Sequence, residues 1–270
     1  MQEGYWVTRT YEAGDMGEKT KFFVPGARPT GKVRRRDRDA VRKQEQNEYA
    51  TQKALARLIH ANFRAGDFLL GLDYSEEGME ELLSWGRGKG LPVDEEETKE
   101  GMDARWAAAS HMLDNALRRV KRFLEKLGIE LKAVYVTSDM DGQTGEAVRV
   151  HHHLIINREA RDAFVKAWQE YGMGGVSWSA LWDNQTDRTA IAEYLIRQVR
   201  RIPDAKKFRS TRNLVRPKPK DRIVLSDAEL RVPKGAELTY RQEFKPGRPQ
   251  YIRYVLPEEK RRRNSEQLVS

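Results

Sequence analysis

The chain has 270 residues, 34% charged and 39% hydrophobic, with a formal charge of +9. That length holds one sizeable domain or two small ones, and the low hydrophobic share predicts an ordered core with long polar extensions. The absence of cysteine excludes disulfides, thiolate zinc sites and a cysteine nucleophile, while the basic balance suggests a polyanionic partner, commonly nucleic acid.

In chain order, Tyr5-Trp6-Val7-Thr8-Arg9-Thr10-Tyr11 alternates and reads as a strand. A basic stretch runs from Arg28 to Lys43, followed by a helical pattern around Leu55, Leu58 and Ile59. Phe68-Leu69-Leu70-Gly71-Leu72 reads as a short buried strand, and the Gly- and Glu-rich residues 86–101 as a loop. An amphipathic helix is expected from Asp103 to Leu127, with Trp106, Ala109, Leu113, Leu117, Val120, Leu124 and Leu127 on one stripe. Ala133–Thr137 and Val148–Ile156 read as strands of a hairpin with a long loop around Asp141-Gly142. Asn157 is a candidate cap for a helix reaching Tyr171 and ended by Gly172. Val176, Trp178, Ala180 and Trp182 alternate as in a strand, with core packing the favoured role of the two tryptophans and base stacking the other. Asp187 is a candidate cap for a last helix that Pro203 stops.

The element order predicts an α+β fold, a mostly antiparallel sheet with helices packed on it. Three zones follow: 1–62, an N-terminal strand plus a basic and helical segment; 63–203, a core; and 204–270, a basic, proline-containing extension. The start of the chain shows no basic segment followed by an apolar run, and no stretch approaches the roughly 18 apolar residues of a membrane span. The expectation is a cytoplasmic protein without a membrane partner.

His151-His152-His153 sits inside a β-branched run. Alternation puts His151 and His153 on one face, about 7 Å apart along the strand, and His152 on the other. Such a pair can ligate one divalent cation, form a structural cluster or contact nucleic acid. In the last helix, Ile191, Leu195, Val199 and Ile202 share an arc, with Tyr194 and Gln198 at its edge and Arg197 and Arg201 beyond.

Taken together, these segments resemble the HUH endonuclease superfamily, specifically its rolling-circle replication initiators from plasmids and phages. The superfamily's motifs, in order, are an apolar strand with a polar end, here Phe68–Tyr74, a His-hydrophobe-His strand, here His151–Asn157, and a helix with a tyrosine followed by polar or basic residues, here Tyr194, Arg197 and Gln198. The likeness spans roughly 63–203, the catalytic core that it implies. Two departures stand out. His152 replaces a hydrophobe, so its face is expected to be less buried than usual. Arg197 stands where a lysine is common, which keeps the charge but removes a proton shuttle.

The resemblance implies a nickase that breaks and rejoins single-stranded DNA through a covalent 5′-phosphotyrosine. Tyr194 would be the nucleophile, His151, His153 and Gln198 would hold Mn²⁺ or Mg²⁺, and Arg197 and Arg201 would contact phosphate. Asp73 is either a further metal contact or a turn residue. The implied partners are single-stranded DNA at a replication origin and a bacterial host's helicase and polymerase. A non-catalytic nucleic-acid-binding module, a water-activating metallohydrolase, and a transposase or relaxase of the same superfamily are the alternatives. Arg34–Arg36, Lys206-Lys207, Arg216–Arg222 and Arg261–Arg263 are candidate phosphate-tracking stretches.

Overall fold

The structure is a computed structural model that describes residues 4–26, 40–182, 184–200, 205–224, 227–261 and 264. The first elements are strands β1 (Gly4–Ala13) and β2 (Met16–Pro25), helix α1 (Ala40–Asn62) and strand β3 (Phe68–Leu72). Helices α2 (Glu76–Gly88) and α3 (Lys99–Lys126), strands β4 (Ala133–Met140) and β5 (Ala147–Ile156), and helix α4 (Arg161–Gln169) follow. Strand β6 (Val176–Ala180), helix α5 (Thr189–Arg197) and strands β7 (Arg209–Ser210), β8 (Lys220–Val224), β9 (Glu237–Arg241) and β10 (Gln250–Val255) complete the series. The fold is α+β, with two five-stranded antiparallel sheets ordered β6-β3-β5-β4-β7 and β8-β1-β2-β10-β9.

These sheets belong to two compact units. One comprises Phe63–Gln185 and Thr189–Leu214, the other Met1–Asn62, Thr186–Arg188 and Val215–Ser270. The two ends of the chain therefore meet in one sheet, where β10 adds to β2 and β8 to β1. No described helix is long and apolar enough to cross a membrane.

In the first unit, β5 is the central strand, and its parity decides what each face does. Leu154 and Ile156 point with Leu70, Leu72 and Ala133 into a core closed by Ala109, Leu113, Val120 and Leu124 of α3 and by Phe164 and Trp168 of α4. Five of the seven residues in the stripe read from sequence are buried there. Leu127 is exposed because α3 ends one residue before it, and Trp106 is half-buried, its indole N–H donating to the Thr137 carbonyl at 3.0 Å.

Some sequence readings need correction. Residues 86–101 are not one loop: α2 continues to Gly88 and α3 begins at Lys99. Glycine there reflects close packing, since a Cβ on Gly101 would stand 1.8 Å from the Glu95 carbonyl oxygen. Both helices are capped by hydroxyls, Ser75 Oγ and Thr98 Oγ1 each accepting from the backbone N–H three residues on, at 3.0 Å. Asn157 makes no side-chain cap; its Oδ1 accepts from Lys132 N at 2.8 Å, and the chain passes through a short 3₁₀ turn before α4, which stops at Gln169. The last helix is shorter than expected, 189–197, so Gln198 lies in the turn that follows it. Its buried residues are Thr189, Ala192, Leu195 and Ile196, with Ile191 only half-buried and Val199 buried beyond its end. Ile202 and Pro203 fall outside the described residues.

Candidate active site

The face of β5 opposite the helical core carries His151 and His153. Pairing places Val136 and Gly71 beside His153 and Ser138 beside His151. Glycine at 71 leaves room on this face: a Cβ there would meet Ser177 Oγ at 2.6 Å and lie 3.9 Å from His153 Nδ1.

The histidine rings stand edge to face, centroids 4.9 Å apart and planes at 89°. His151 Nδ1 donates to the Arg149 carbonyl at 2.9 Å, an acceptor that fixes the proton on Nδ1 and leaves the Nε2 lone pair facing the site. That Nε2 is 3.2 Å from His153 Nε2, which is 3.0 Å from Gln198 Oε1. The side-chain amide of Gln198 is oriented by its Nε2, which donates to the Tyr194 carbonyl at 3.3 Å, while the backbone carbonyl of Gln198 accepts from Ser138 Oγ at 2.5 Å and fixes the main chain there. Burial, reinforced by the neighbouring His151, pushes the His153 imidazole down to about 4. The neutral ring carries one proton, on Nε2 between the acceptors His151 Nε2 and Gln198 Oε1, and a cation at that atom would require the proton on Nδ1 instead.

Three potential donor atoms thus converge. Ligands held about 2.1 Å from one ion at right angles would stand about 3.0 Å apart, close to the two spacings found here. Two imidazoles and an amide oxygen suit a borderline or hard divalent ion such as Mn²⁺ or Mg²⁺. Among the described residues no three His, Cys, Asp or Glu side chains form a metal-holding group, and the third potential donor beside the two imidazoles is the Gln198 amide oxygen. Asp73 is exposed at the end of β3, and its charge acts on His153 only through space, raising that imidazole's pKa.

Tyr194 of α5 packs edge-on against His153, with ring centroids 5.5 Å apart, and is 48% exposed. The structure therefore brings His151, His153, Gln198 and Tyr194 together. Arg197 is exposed on the same helix and reaches Glu193 only at 4.0 Å. Arg201 lies outside the described residues.

His152 corrects the expectation of a less buried face. It is fully buried, with Nε2 2.8 Å from the Tyr74 hydroxyl and Nδ1 3.1 Å from Thr137 Oγ1, and its ring meets Trp168 edge-on at 5.7 Å. A histidine replaces the hydrophobe without loss of burial because both ring nitrogens find partners in the core. Burial holds it neutral, its pKa well below the ordinary value, and pushes the Tyr74 phenol up.

Supporting residues that the sequence did not reveal include Ser138, Arg149 and Arg200. The Arg200 guanidinium donates to Asp139 at 3.0 Å and to Asp103 at 2.6 Å, tying the turn after Gln198 to β4 and α3. Only the strand register could have paired Ser138 with His151; nothing local marks Arg200. Trp178 and Trp182 are not core residues: they are 50% and 66% exposed, Trp178 on the edge strand β6 and Trp182 in the segment after it. The Arg161 guanidinium carbon lies 5.8 Å from the Trp178 ring centre. Of the basic stretches, Arg34–Arg36, Arg262 and Arg263 lie outside the described residues.

No protein-family model, curated protein or solved structure matches the chain.

Proposed function

We propose that the chain is a metal-dependent nickase and strand transferase that cleaves single-stranded DNA through Tyr194, as HUH endonucleases do, to initiate rolling-circle replication. The observation that carries this reading is the convergence of His151 Nε2, His153 Nε2 and Gln198 Oε1, with the ring of Tyr194 against His153. A divalent cation bound by these three side chains would supply charge neutralisation at the scissile phosphate.

The protein's own groups do the rest. Tyr194 Oη attacks phosphorus, forming a phosphotyrosine bond; the bond from phosphorus to the 3′ oxygen breaks, and that oxygen leaves as a hydroxyl after taking a proton from solvent. The phenolic proton goes to solvent, since Arg197 cannot accept one. Exposure of Tyr194 lets a strand reach it, while Ser138, Arg149 and the backbone of Tyr194 hold the donor atoms in place. Arg197, bound only weakly to Glu193, is available to a phosphate. Exposed Trp178 and Trp182 offer ring faces to unpaired bases. The covalent bond conserves the phosphodiester's energy, so the reverse attack by a 3′ hydroxyl rejoins the strand without ATP.

The test is incubation of the protein with labelled single-stranded origin oligonucleotides and Mn²⁺ or Mg²⁺, followed by a denaturing gel and peptide mass mapping. A metal-dependent adduct on the Tyr194 peptide, lost in Tyr194→Phe while DNA binding persists, is the expected result. An adduct of normal yield in that variant would move the nucleophile elsewhere. Cleavage without any adduct would instead identify a hydrolase that activates water.

A further inference from the structure

Away from the histidine site, one face of the terminal sheet carries a concentration of cations that the nicking reading does not use. Strand pairing aligns Lys220, Thr10 and Lys19 in one cross-strand row and Arg222, Thr8 and Lys21 in the next. A third row is Val224, Trp6 and Phe23. Rows two residues apart are separated by about 6.8 Å. Ala228–Arg231 forms a facing wall, so that the face becomes a groove of about 710 Å³. The wall is anchored: Leu230 packs with Ile252, Tyr254 and Leu256, and Lys19 Nζ donates to the Arg231 carbonyl at 3.1 Å.

Lys21 distinguishes this groove from an ordinary solvated surface. It lines the groove, is only 3% exposed, and its ammonium has no hydrogen-bond acceptor among the described residues. Its nearest ring is Trp6, 5.8 Å from Nζ to centroid, and Asp227 acts on it only through space. Its stem is buried while its ammonium, with the Trp6 ring beside it, opens onto the groove, where it can meet an anion.

The acids nearby are already engaged. Asp221 takes a forked pair from Arg9 at 2.8 and 2.6 Å, Glu229 pairs with Arg241, and Glu12 pairs with Lys260 at 2.8 Å and with Lys220 at 3.8 Å. Asp227 accepts from Gly247 N at 2.6 Å and from Gln250 at 3.4 Å. Beyond the cation rows, Trp6 and Phe23 form an edge-to-face pair at 5.5 Å.

We propose that this groove binds the backbone of a single nucleic-acid strand, with Lys19, Lys21, Lys220 and Arg222 on phosphates and the Trp6–Phe23 pair on a base. Cations in rows that end on an aromatic pair suit unpaired bases, which can stack, whereas a duplex offers Trp6 no ring face along its length. The inference rests on the proposed function only in taking the strand to be DNA.

The experiment measures binding of a labelled oligothymidylate of about 20 nucleotides, longer than the roughly 4–16 that such sites cover, and of a duplex of equal length. Fluorescence anisotropy is read on the full chain carrying Tyr194→Phe, without divalent metal, over a range of salt. Removing both exposed cations, Lys220→Ala with Arg222→Ala, should weaken oligothymidylate binding about 10-fold. The log–log salt slope should shrink by about 1.4, or 0.7 per lost phosphate contact. Trp6→Ala should weaken binding about 5-fold with the slope unchanged. Unchanged affinity and slope in the double variant would overturn the proposal, and so would tighter binding of the duplex with the same losses. If the unsubstituted chain never nicks DNA while groove-dependent binding holds, the nicking reading fails and the groove stands. Nicking with no effect of the groove variants sinks the groove alone.

Discussion

The central strand of each sheet carries the ionisable groups that mark it, but of different kinds. β5 carries three imidazoles, whose ordinary pKa near 6.5 lets burial remove their charge around neutral pH. At His153 and His152 it does so: His153 becomes a neutral ring on the site face, while both ring nitrogens of His152 are spent on Tyr74 and Thr137 in the core. β2 carries Lys19 and Lys21, whose ordinary value near 10.4 lies far above neutrality, so burial leaves a charge seeking an anion. On the two proposals, two antiparallel sheets of five strands would take ligands of opposite charge because of the intrinsic pKa of the groups on one strand of each. The contrast extends to partners: the His152 nitrogens are satisfied from within the unit, while Lys21 Nζ has no hydrogen-bond acceptor among the described residues.

The largest effect is expected from His153→Ala. Loss of the central donor should lower metal-dependent adduct formation by about 10³-fold or more, several kcal/mol of charge stabilisation, and leave oligothymidylate binding by the terminal groove unchanged. Adduct formation within about 10-fold of normal would remove the donor role. Acid separates the two kinds of group next. His153 and, in the terminal unit, His60 both sit at about 4 because of burial, below the ordinary 6.5 of the unfolded chain. As pH falls the unfolded chain is protonated first, so stability is whole above about 6.5, declines between about 6.5 and 4, and levels off below. The loss should reach about 3 kcal/mol for each group, read by urea unfolding at successive pH values; a flat profile across that window would contradict neutral burial.

A smaller effect is expected at Arg200. Arg200→Ala leaves the carboxylate of Asp139, 6% exposed, without its guanidinium, and should cost about 2–3 kcal/mol in urea denaturation. A loss below 0.5 kcal/mol would mean that the turn after Gln198 is held without it. The smallest change is Arg9→Ala on the terminal sheet. The Arg9–Asp221 pair is forked but exposed, so its loss should cost less than about 1 kcal/mol, and a larger drop would show that β8 depends on that pair to stay on the sheet.

Strands β3, β4 and β5 and helix α3 were legible because local periodicity alone separates their buried and exposed faces. So was the α+β class, and so was the idea that His151 and His153 share a face, which follows from strand parity. β2 was not legible: Glu18 meets Arg57 of α1 on one face while Lys19 and Lys21 occupy the other, so no apolar alternation marks it. α2 was hidden by its glycines, and the shared sheet of the two chain ends by the 224 residues between β2 and β10. Local pattern therefore determined the elements, and residue type determined which chemistry was possible: neutral imidazoles, a phenol and guanidinium groups. Tertiary structure alone decided that His152 is buried between Tyr74 and Thr137, that the amide oxygen of Gln198 turns toward His153, and that Lys21 lies in a groove beside the Trp6 ring. Each of these depends on atoms brought together across strands and turns far apart in the chain, and hydrogen bonding and desolvation act on spatial neighbours, not on sequence neighbours.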